Sequence, residues 1–395
     1  MAGVDEVKGR VADELKRLEP RLLEISHGIH AHPEMSFSEH FAVGLLTGEL
    51  EREGFQVQRG VAGLETAFVA SYGSGKPAVA FLAEYDALPK LGHACGHNLI
   101  STWALGAGIA LRRAWADAPG MVQVIGTPAE EGGGGKVIMA EAGVFDGLDA
   151  AIMMHPRDET LLNRGSLAIS HYDIEFFGKS AHAAASPDRG ISALDAVLQV
   201  FFSVNAMRQM LKPDARIHGS ITHGGDAPNV IPDYAAATFL VRSKDQEYLE
   251  ELEKRFERIV EGAALATGAR PKLTKGVSYK SRVCNLALVE VLRENAERLG
   301  ISYGQPPEEG GVGSSDIGDV SHVVPTIHPY YQIGPKGIVT HSPEFAEAAK
   351  SPQGDASIVP GTAMLACTGV DVLLRPEVRE QLRASFRAQL GRDPR

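Results

Sequence analysis

The chain has 395 residues, of which 44% are hydrophobic and 23% charged, a balance typical of folded globular proteins and not of disordered ones. This length predicts two or three domains. The 39 basic and 50 acidic residues give a net charge of −11, so nucleic acid and anionic membrane surfaces are not expected partners.

The first part of the chain alternates between helical and strand-like patterns. A three-four spacing of apolar residues predicts a helix over 4–29, disturbed near Pro20, and a second helix over 39–54. Later elements of the same kind are strands at 66–72, 78–83, 122–127 and 150–154, a hairpin turn at 73–76, and helices at 98–115 and 136–142. Strands that alternate with helices predict a layered α/β sheet.

The order of elements changes near residue 166 to β-α-β-β-α-β, which is typical of a ferredoxin-like domain. The predicted elements are 167–177, 192–210, 217–222, 235–241, 246–266 and 271–277. A helix at 286–300 and an apolar segment at 363–374 can pack back onto the first domain. We therefore predict a discontinuous α/β domain of residues 1–167 and 282–395, with a second domain, 168–281, inserted into it.

No membrane segment or secretion signal is expected. The longest apolar runs, such as 77–83, are far shorter than the roughly 18 residues that span a bilayer, and the N-terminus lacks a signal-peptide core. Only three cysteines are present, Cys95, Cys284 and Cys367, and they lie far apart in the sequence. That number is too low for a disulfide framework, so we expect a cytoplasmic protein.

Metal-binding and acidic side chains follow three of the predicted strands. In α/β sheets, ligands bind at the carboxyl ends of the strands. Cys95 and His97 offer a thiolate and an imidazole, both suited to zinc and usable by manganese or cobalt. Two alternatives remain open for Cys95, because it could be an ordinary buried cysteine or a nucleophile paired with a histidine base.

Glu130 and Glu131 follow the next strand and precede four glycines. Adjacent side chains at a strand end point in opposite directions, so one carboxylate could bind metal while the other acts as a general base. A solvated surface pair is the alternative, but four glycines allow the backbone to approach a ligand closely. His155 ends another apolar strand and could be a ligand or a hydrogen-bonded core histidine. His341 lies on a polar loop and is a weaker candidate.

Several short motifs occur together in a recognisable order. They are HAHPE at 30–34, DALP at 86–89, HACGH at 93–97, EE at 130–131, MHP at 154–156, GKSAHA at 178–183, GGDAPNVIP at 224–232 and HSP at 341–343. This series resembles the aminoacylase and carboxypeptidase G metallopeptidase family, and within it the amidohydrolase branch that includes hippurate hydrolase and auxin-conjugate amidohydrolases. Segments 84–89 and 313–321 are most similar to one of the aminobenzoyl-glutamate hydrolase subunits and to dipeptidase-like relatives.

The resemblance implies a zinc-peptidase-like catalytic domain that binds two divalent metal ions, zinc or manganese with cobalt as a further candidate. The positions that match metal ligands in this family are Cys95, His97, Glu131, His155 and His341. Glu130 matches the general base, and His182 and Asn229 match residues of the inserted domain that polarise the scissile carbonyl and hold substrate. That domain resembles the lid and dimerisation domain of the family, so a homodimer is expected.

The resemblance also indicates where the substrate carboxylate binds. Arg242 matches a residue that can bind it, and the loop 310–316, which contains Ser314, could supply backbone NH groups. Glu84 stands where many other branches have a histidine ligand, so the sequence departs from that pattern here and the resemblance assigns Glu84 no role. Asp86 is better interpreted as a residue that orients a metal-binding histidine.

The sequence therefore predicts a metal-dependent amidohydrolase or peptidase. Its expected substrates are N-acyl amino acids, aminobenzoyl-glutamate-like conjugates or dipeptides with a free carboxylate. Two alternatives belong to other classes. One is a thiol amidase with Cys95 as nucleophile, and the other is a non-catalytic metal-binding or peptide-binding relative, against which the presence of Glu130 argues.

Overall fold

The structure, a computed structural model, describes residues 3–115, 120–306 and 313–395. The chain divides into two compact units. The first comprises Met1–Gly165, Arg282–Glu309 and Asp316–Arg395, and the second comprises Ser166–Ser281 and Gly310–Ser315. The second unit thus includes a short later segment in addition to the insertion predicted at 168–281.

Strands and helices are numbered in chain order. The strands are β1 (Gln56–Arg59), β2 (Phe68–Ser74), β3 (Ala78–Ala83), β4 (Gly120–Gly126), β5 (Ala150–Ile152), β6 (His155–Arg157), β7 (Ala168–Phe177), β8 (Arg216–His223), β9 (Tyr234–Ser243), β10 (Arg270–Tyr279), β11 (Thr326–Ile327) and β12 (Tyr330–Gln332). The helices are α1 (Val4–Ala31), α2 (His40–Arg52), α3 (His97–Ala114), α4 (Gly135–Glu141), α5 (Ala193–Met207), α6 (Gln246–Thr267), α7 (Leu286–Arg298), α8 (Ile317–Ser321), α9 (Pro343–Ala348), α10 (Pro352–Ala356), α11 (Ile358–Leu374) and α12 (Pro376–Leu390).

The first unit is built on a six-stranded sheet with the order β1-β2-β4-β3-β5-β11. Strands β4, β3, β5 and β11 run parallel, whereas β1 and β2 are antiparallel to their neighbours. The predicted hairpin at 73–76 is wrong, because β2 and β3 flank β4 on opposite sides instead of pairing with each other. Every residue of β3 is fully buried, which is typical of a central parallel strand covered on both faces.

Helices cover both faces of this sheet, which confirms the layered α/β prediction. Alternate side chains of β3 point to opposite faces. Val79, Phe81 and Ala83 belong to the core that contains α1, α3 and α11, whereas Ala80 and Leu82 pack with residues of α4 and α8. The carboxyl ends of the four parallel strands are therefore held at one edge of a sheet between two apolar layers.

Helix α1 is continuous at the proline near which the sequence predicts a disturbance. Helix α1 continues through Pro20, which has no NH group to donate to the carbonyl group one turn earlier. Pro20 is exposed, so solvent can hydrate that carbonyl group.

Within the described residues, one stretch, Pro352–Leu374, is long and apolar enough to cross a membrane. Its most apolar window is 83% buried inside the protein, as expected of a core helix.

The second unit contains a four-stranded antiparallel sheet with the order β10-β7-β9-β8. Its elements follow one another as β7, α5, β8, β9, α6 and β10. Alternate residues of β7 and β9, such as Tyr172, Ile174 and Phe239, form one apolar core with the inner faces of α5 and α6. Strand β8 lies at the edge of the sheet, and most of its residues are exposed.

Candidate active site

The carboxyl ends of the parallel strands carry most of the predicted site residues. Glu84 directly follows β3, Glu130 and Glu131 follow β4, and His155 begins β6, three residues after the end of β5. Cys95 and His97 lie where the chain that leaves β3 enters α3. The geometry of the sheet therefore brings together side chains that are separated in the sequence.

All five predicted metal ligands converge. The donor atoms of Cys95, His97 and His155 lie within 4.8 Å of one another, and so do those of Cys95, Glu131 and His341. Cys95 Sγ is 3.3 Å from His155 Nε2, and His341 Nε2 is 3.5 Å from Glu131 Oε1. A thiolate, three imidazoles and a carboxylate form a donor set suited to zinc and related transition metals.

Unpaired buried atoms provide a test of whether a metal fits this cluster. His97 Nε2 and Glu131 Oε1 are buried without a hydrogen-bond partner among the described residues. Burying such atoms is costly unless a partner satisfies them. The two atoms lie 3.8 Å apart, so a cation between them would satisfy both, and the residues fit a metal.

Local backbone geometry places two predicted ligands, Cys95 and His97, at the start of α3. Gly96 adopts φ 73°, and a Cβ there would lie only 2.5 Å from Pro156, next to the predicted ligand His155. The glycine thus lets the Cys95–His97 turn pack against β6. His341 is fixed by its own backbone, because its NH donates to the carbonyl of Ala94 at 2.9 Å.

The last of the four glycines after Glu131 has a packing role. A Cβ on Gly135 would lie 2.0 Å from the carbonyl oxygen of Pro128, so this position admits only glycine without a backbone shift. The close approach is therefore between parts of the chain itself.

Asp86 contacts the predicted ligand His97, as expected of a residue that orients a metal-binding histidine, and it also holds the backbone of Glu131. Its Oδ1 lies 2.9 Å from His97 Nδ1, and its Oδ2 accepts hydrogen bonds from the backbone NH of Glu131 at 2.9 Å and from Ser36 Oγ at 3.1 Å. Burial alone would raise the pKa of Asp86, but the hydrogen bonds from His97 and Glu131 hold it at about 2. The carboxylate thereby fixes the ring that presents His97 Nε2 to the cluster.

Replacing Asp86 with asparagine is expected to weaken metal binding about 10–100-fold, because a neutral amide holds the His97 ring less firmly. Competition with a chromophoric chelator on the full chain would measure the affinity. Asp13→Asn, on an exposed face of α1, is the matched control. An unchanged affinity in the Asp86 variant would contradict the assigned role.

Glu130 stands beside the ligand cluster. Its carboxylate belongs to the group with His97 and Glu131, and also to a second group with Glu84 and Asp316, in which the carboxylate oxygens lie within 4.8 Å of one another. Desolvation, followed by the charges of Glu84 and Glu131, raises the pKa of Glu130. A carboxylate so placed can exchange a proton with a reacting group.

Sequence reasoning did not identify Lys136, whose positive charge balances part of the negative charge of Glu84, Glu130 and Asp316. Lys136 is fully buried, and its Nζ lies 2.5 Å from Glu84 Oε1 and 2.8 Å from Asp316 Oδ1. The backbone NH of Lys136 also donates to Asp316 Oδ2. Glu84 is thus held by an ammonium group, with its other oxygen 3.6 Å from His97 Nε2.

Other predicted residues belong to the second unit. The backbone NH of Ala183 donates to the carbonyl of Asn229 at 2.9 Å, which brings the exposed segments of His182 and Asn229 together. Arg242 Nη1 donates to Ser314 Oγ at 3.3 Å. Of the predicted loop 310–316, residues 310–312 lie outside the described residues. Its last residue, Asp316, is buried against Lys136.

Converging metal-binding groups at the edge of an α/β sheet, with a carboxylate beside them, define a metal-dependent hydrolase. The model of peptidase family M20/M25/M40 matches residues 80–368, and the chain belongs to this family. This confirms the resemblance noted in the sequence. The protein is accordingly a metal-dependent peptidase or amidohydrolase.

Two relatives extend the comparison. The Xaa-Arg dipeptidase of Mus musculus is 37% identical over 98% of this chain and 94% of that protein. A p-aminobenzoyl-glutamate hydrolase polypeptide of Escherichia coli (strain K12), one of the subunits of that enzyme, is 36% identical over 77% of this chain and 67% of that protein.

A solved structure of a dinuclear metal binding peptidase of the M20 family from Bacillus subtilis has the same fold. Its TM-score is 0.68 at 24% identity, and the match covers 90% of this chain and 99% of that one.

Proposed function

We propose that the protein hydrolyses the amide bond of dipeptides, N-acyl amino acids or aminobenzoyl-glutamate-like conjugates that have a free carboxylate. The observation that carries the proposal is the convergence of Cys95, His97, Glu131, His155 and His341 beside Glu130. Dipeptides are the first class to test, since the Xaa-Arg dipeptidase is similar over nearly the whole chain.

Each proposed role follows from the chemistry of the group. Divalent cations, when bound, polarise the scissile carbonyl and acidify the attacking water. Glu130 accepts a proton from that water and returns it to the nitrogen of the leaving amine. His182 and Asn229 hold the carbonyl oxygen, while Arg242 and Ser314 bind the substrate carboxylate, with the guanidinium supplying a charge-assisted hydrogen bond.

The ligand arrangement supports two ions per chain. Cys95 belongs to two of the converging groups and Glu131 to two, so the groups share ligands in the manner of a dinuclear site. A thiolate and imidazoles favour zinc over magnesium or calcium, and manganese or cobalt can use the same donors. We propose zinc or manganese as the native metal, with cobalt as a further candidate.

We also propose that the second unit is a ferredoxin-like lid and dimerisation domain. Its strand order and its exposed edge strand β8 support the proposal, since an unpaired edge offers backbone groups to a second copy. Light scattering should give the mass of a homodimer, and a monomer at micromolar concentration would refute the proposed dimer.

A cytoplasmic location is proposed because all three cysteines are buried free thiols.

Removing the metal should abolish activity. Dipeptides that include Xaa-Arg, N-acetyl amino acids and aminobenzoyl-glutamate would be assayed after chelation and after adding back zinc, manganese or cobalt separately. We expect hydrolysis of at least one class to be lost with the metal and restored by one of these ions. Activity that survives chelation and is lost on alkylation of Cys95 would instead support a thiol amidase. Metal binding without turnover would support a non-catalytic relative.

A further inference from the structure

His328 is a buried histidine beside the ligand cluster that none of the roles above includes. It directly follows β11, which pairs with β5, and His155 begins β6, three residues after the end of β5. The centroids of their rings are 5.5 Å apart, and the ring of Tyr330 packs against both. Only 2% of His328 is exposed.

The neighbour of His328 fixes which ring nitrogen carries the proton. Arg282 Nη1 makes a hydrogen bond to His328 Nδ1. A guanidinium group can only donate, so Nδ1 must accept and the proton must lie on Nε2. Arg282 is itself buried and held in place, because its Nη2 donates to the carbonyl of Gly165 at 3.1 Å and to Tyr330 Oη at 3.0 Å.

The Nε2–H group has no acceptor among the residues that the structure describes. Leaving a buried donor unsatisfied costs enough free energy that native structures usually supply a partner. His97 Nε2 and Glu131 Oε1, in the neighbouring cluster, are unpaired in the same way, and for them a metal is the fitting partner. His328 differs, because a protonated nitrogen cannot ligate a metal and because His328 is absent from the converging groups of the described residues.

We propose that His328 Nε2–H donates a hydrogen bond to an oxygen atom of the substrate, and that Arg282 is the positioning residue that sets the ring tautomer. The inference rests on the proposed function, since the acceptor arrives with an amide substrate. Two substrate oxygens have the required chemistry, namely the scissile carbonyl and the free carboxylate.

The test uses the metal-loaded full chain with His328→Leu, His328→Gln and, as a control, His171→Leu on β7. Leucine removes the donor, whereas the glutamine amide can place an NH group near the position of Nε2. We expect His328→Leu to lower kcat/KM at least tenfold and His328→Gln to recover most of that loss. Metal content should stay that of the wild type. His328→Leu leaves Arg282 Nη1 without its acceptor, so its thermal midpoint should fall, but the variant should still be fully folded at the assay temperature. His171→Leu should behave like the wild type.

The kinetic constants of His328→Leu show which of the two substrate oxygens is the acceptor. If the acceptor is the carbonyl, His328→Leu lowers kcat by about 10²–10³-fold, as loss of an oxyanion donor does. If the acceptor is the carboxylate, KM rises instead, and the wild-type preference for a dipeptide over its C-terminal amide is lost. Either pattern supports the inference.

A kcat/KM of His328→Leu within threefold of the wild type would overturn the inference, and so would a glutamine variant no better than the leucine one. A wild type that hydrolyses no substrate would overturn the proposed function and this inference together, whereas an active wild type with an equally active leucine variant overturns only the inference.

Nitrogen NMR of histidine-labelled protein gives a readout independent of turnover. The wild type should show one Nε2–H ring signal that is missing from His328→Gln and altered in Arg282→Lys. Assignment of the proton to Nδ1 would contradict the proposed positioning.

Discussion

Replacing Glu130 with glutamine is expected to lower kcat by about 10²–10⁴-fold while the metal content stays at the wild-type value. The substitution keeps the size of the side chain and removes its ability to accept a proton. Glu130 stands beside the ligand group without being one of the five proposed ligands, so the ions should remain bound. Steady-state kinetics and elemental analysis of the same samples would measure both quantities.

Two further variants make this result decisive. Glu131→Gln should lose metal as well as activity, since Glu131 lies in two of the converging groups. Glu141→Gln, at the exposed end of α4, should change neither. Full activity in the Glu130 variant would refute its role as general base, and loss of metal from it would make Glu130 a ligand instead.

Replacing Lys136 with methionine is expected to destabilise the first unit by about 3–5 kcal/mol, because it leaves buried carboxylates without their cation. Lys136 is fully buried between Glu84 and Asp316, and the carboxylate of Glu130 is also close. Both tryptophans of the chain, Trp103 and Trp115, belong to the first unit, so tryptophan fluorescence during urea denaturation reports on that unit.

The same substitution at Lys336 is the control. Lys336 pairs with Glu159 at 3.1 Å, but 79% of its side chain is exposed, so Lys336→Met should leave the urea midpoint nearly unchanged. Adding Asp316→Asn to Lys136→Met should recover part of the lost stability, since it removes one of the uncompensated charges. A Lys136→Met midpoint equal to that of the wild type would refute the assigned electrostatic role.

The metal-binding cluster could be predicted from the sequence because each group has a local signal. Cys95 and His97 share one short motif, and Glu131 and His155 each follow an apolar strand that is recognisable by itself. The rule that parallel strands present their carboxyl ends together then places these groups near one another. His341 lies on a polar loop with no strand pattern before it, and the resemblance is what strengthens its assignment as a ligand.

The remaining features depend on partners that local patterns do not specify. Residues 73–76 have the composition of a hairpin turn, yet β2 pairs with β4, whose sequence comes much later. Lys136 and His328 are single residues outside any motif, and their importance follows from burial against Asp316 and Arg282. Long-range pairing of this kind becomes visible only when the chain is folded.

The position of His341 on the chain has a consequence for the order of events during biosynthesis. Four of the five proposed ligands precede residue 156, but the fifth comes after the whole second unit, on a loop that is tied to Ala94. At ordinary translation rates the ribosome needs roughly 10–40 s to add the intervening residues. A nascent chain therefore offers incoming ions an incomplete set of ligands for that time, and the full set is assembled only near the end of translation.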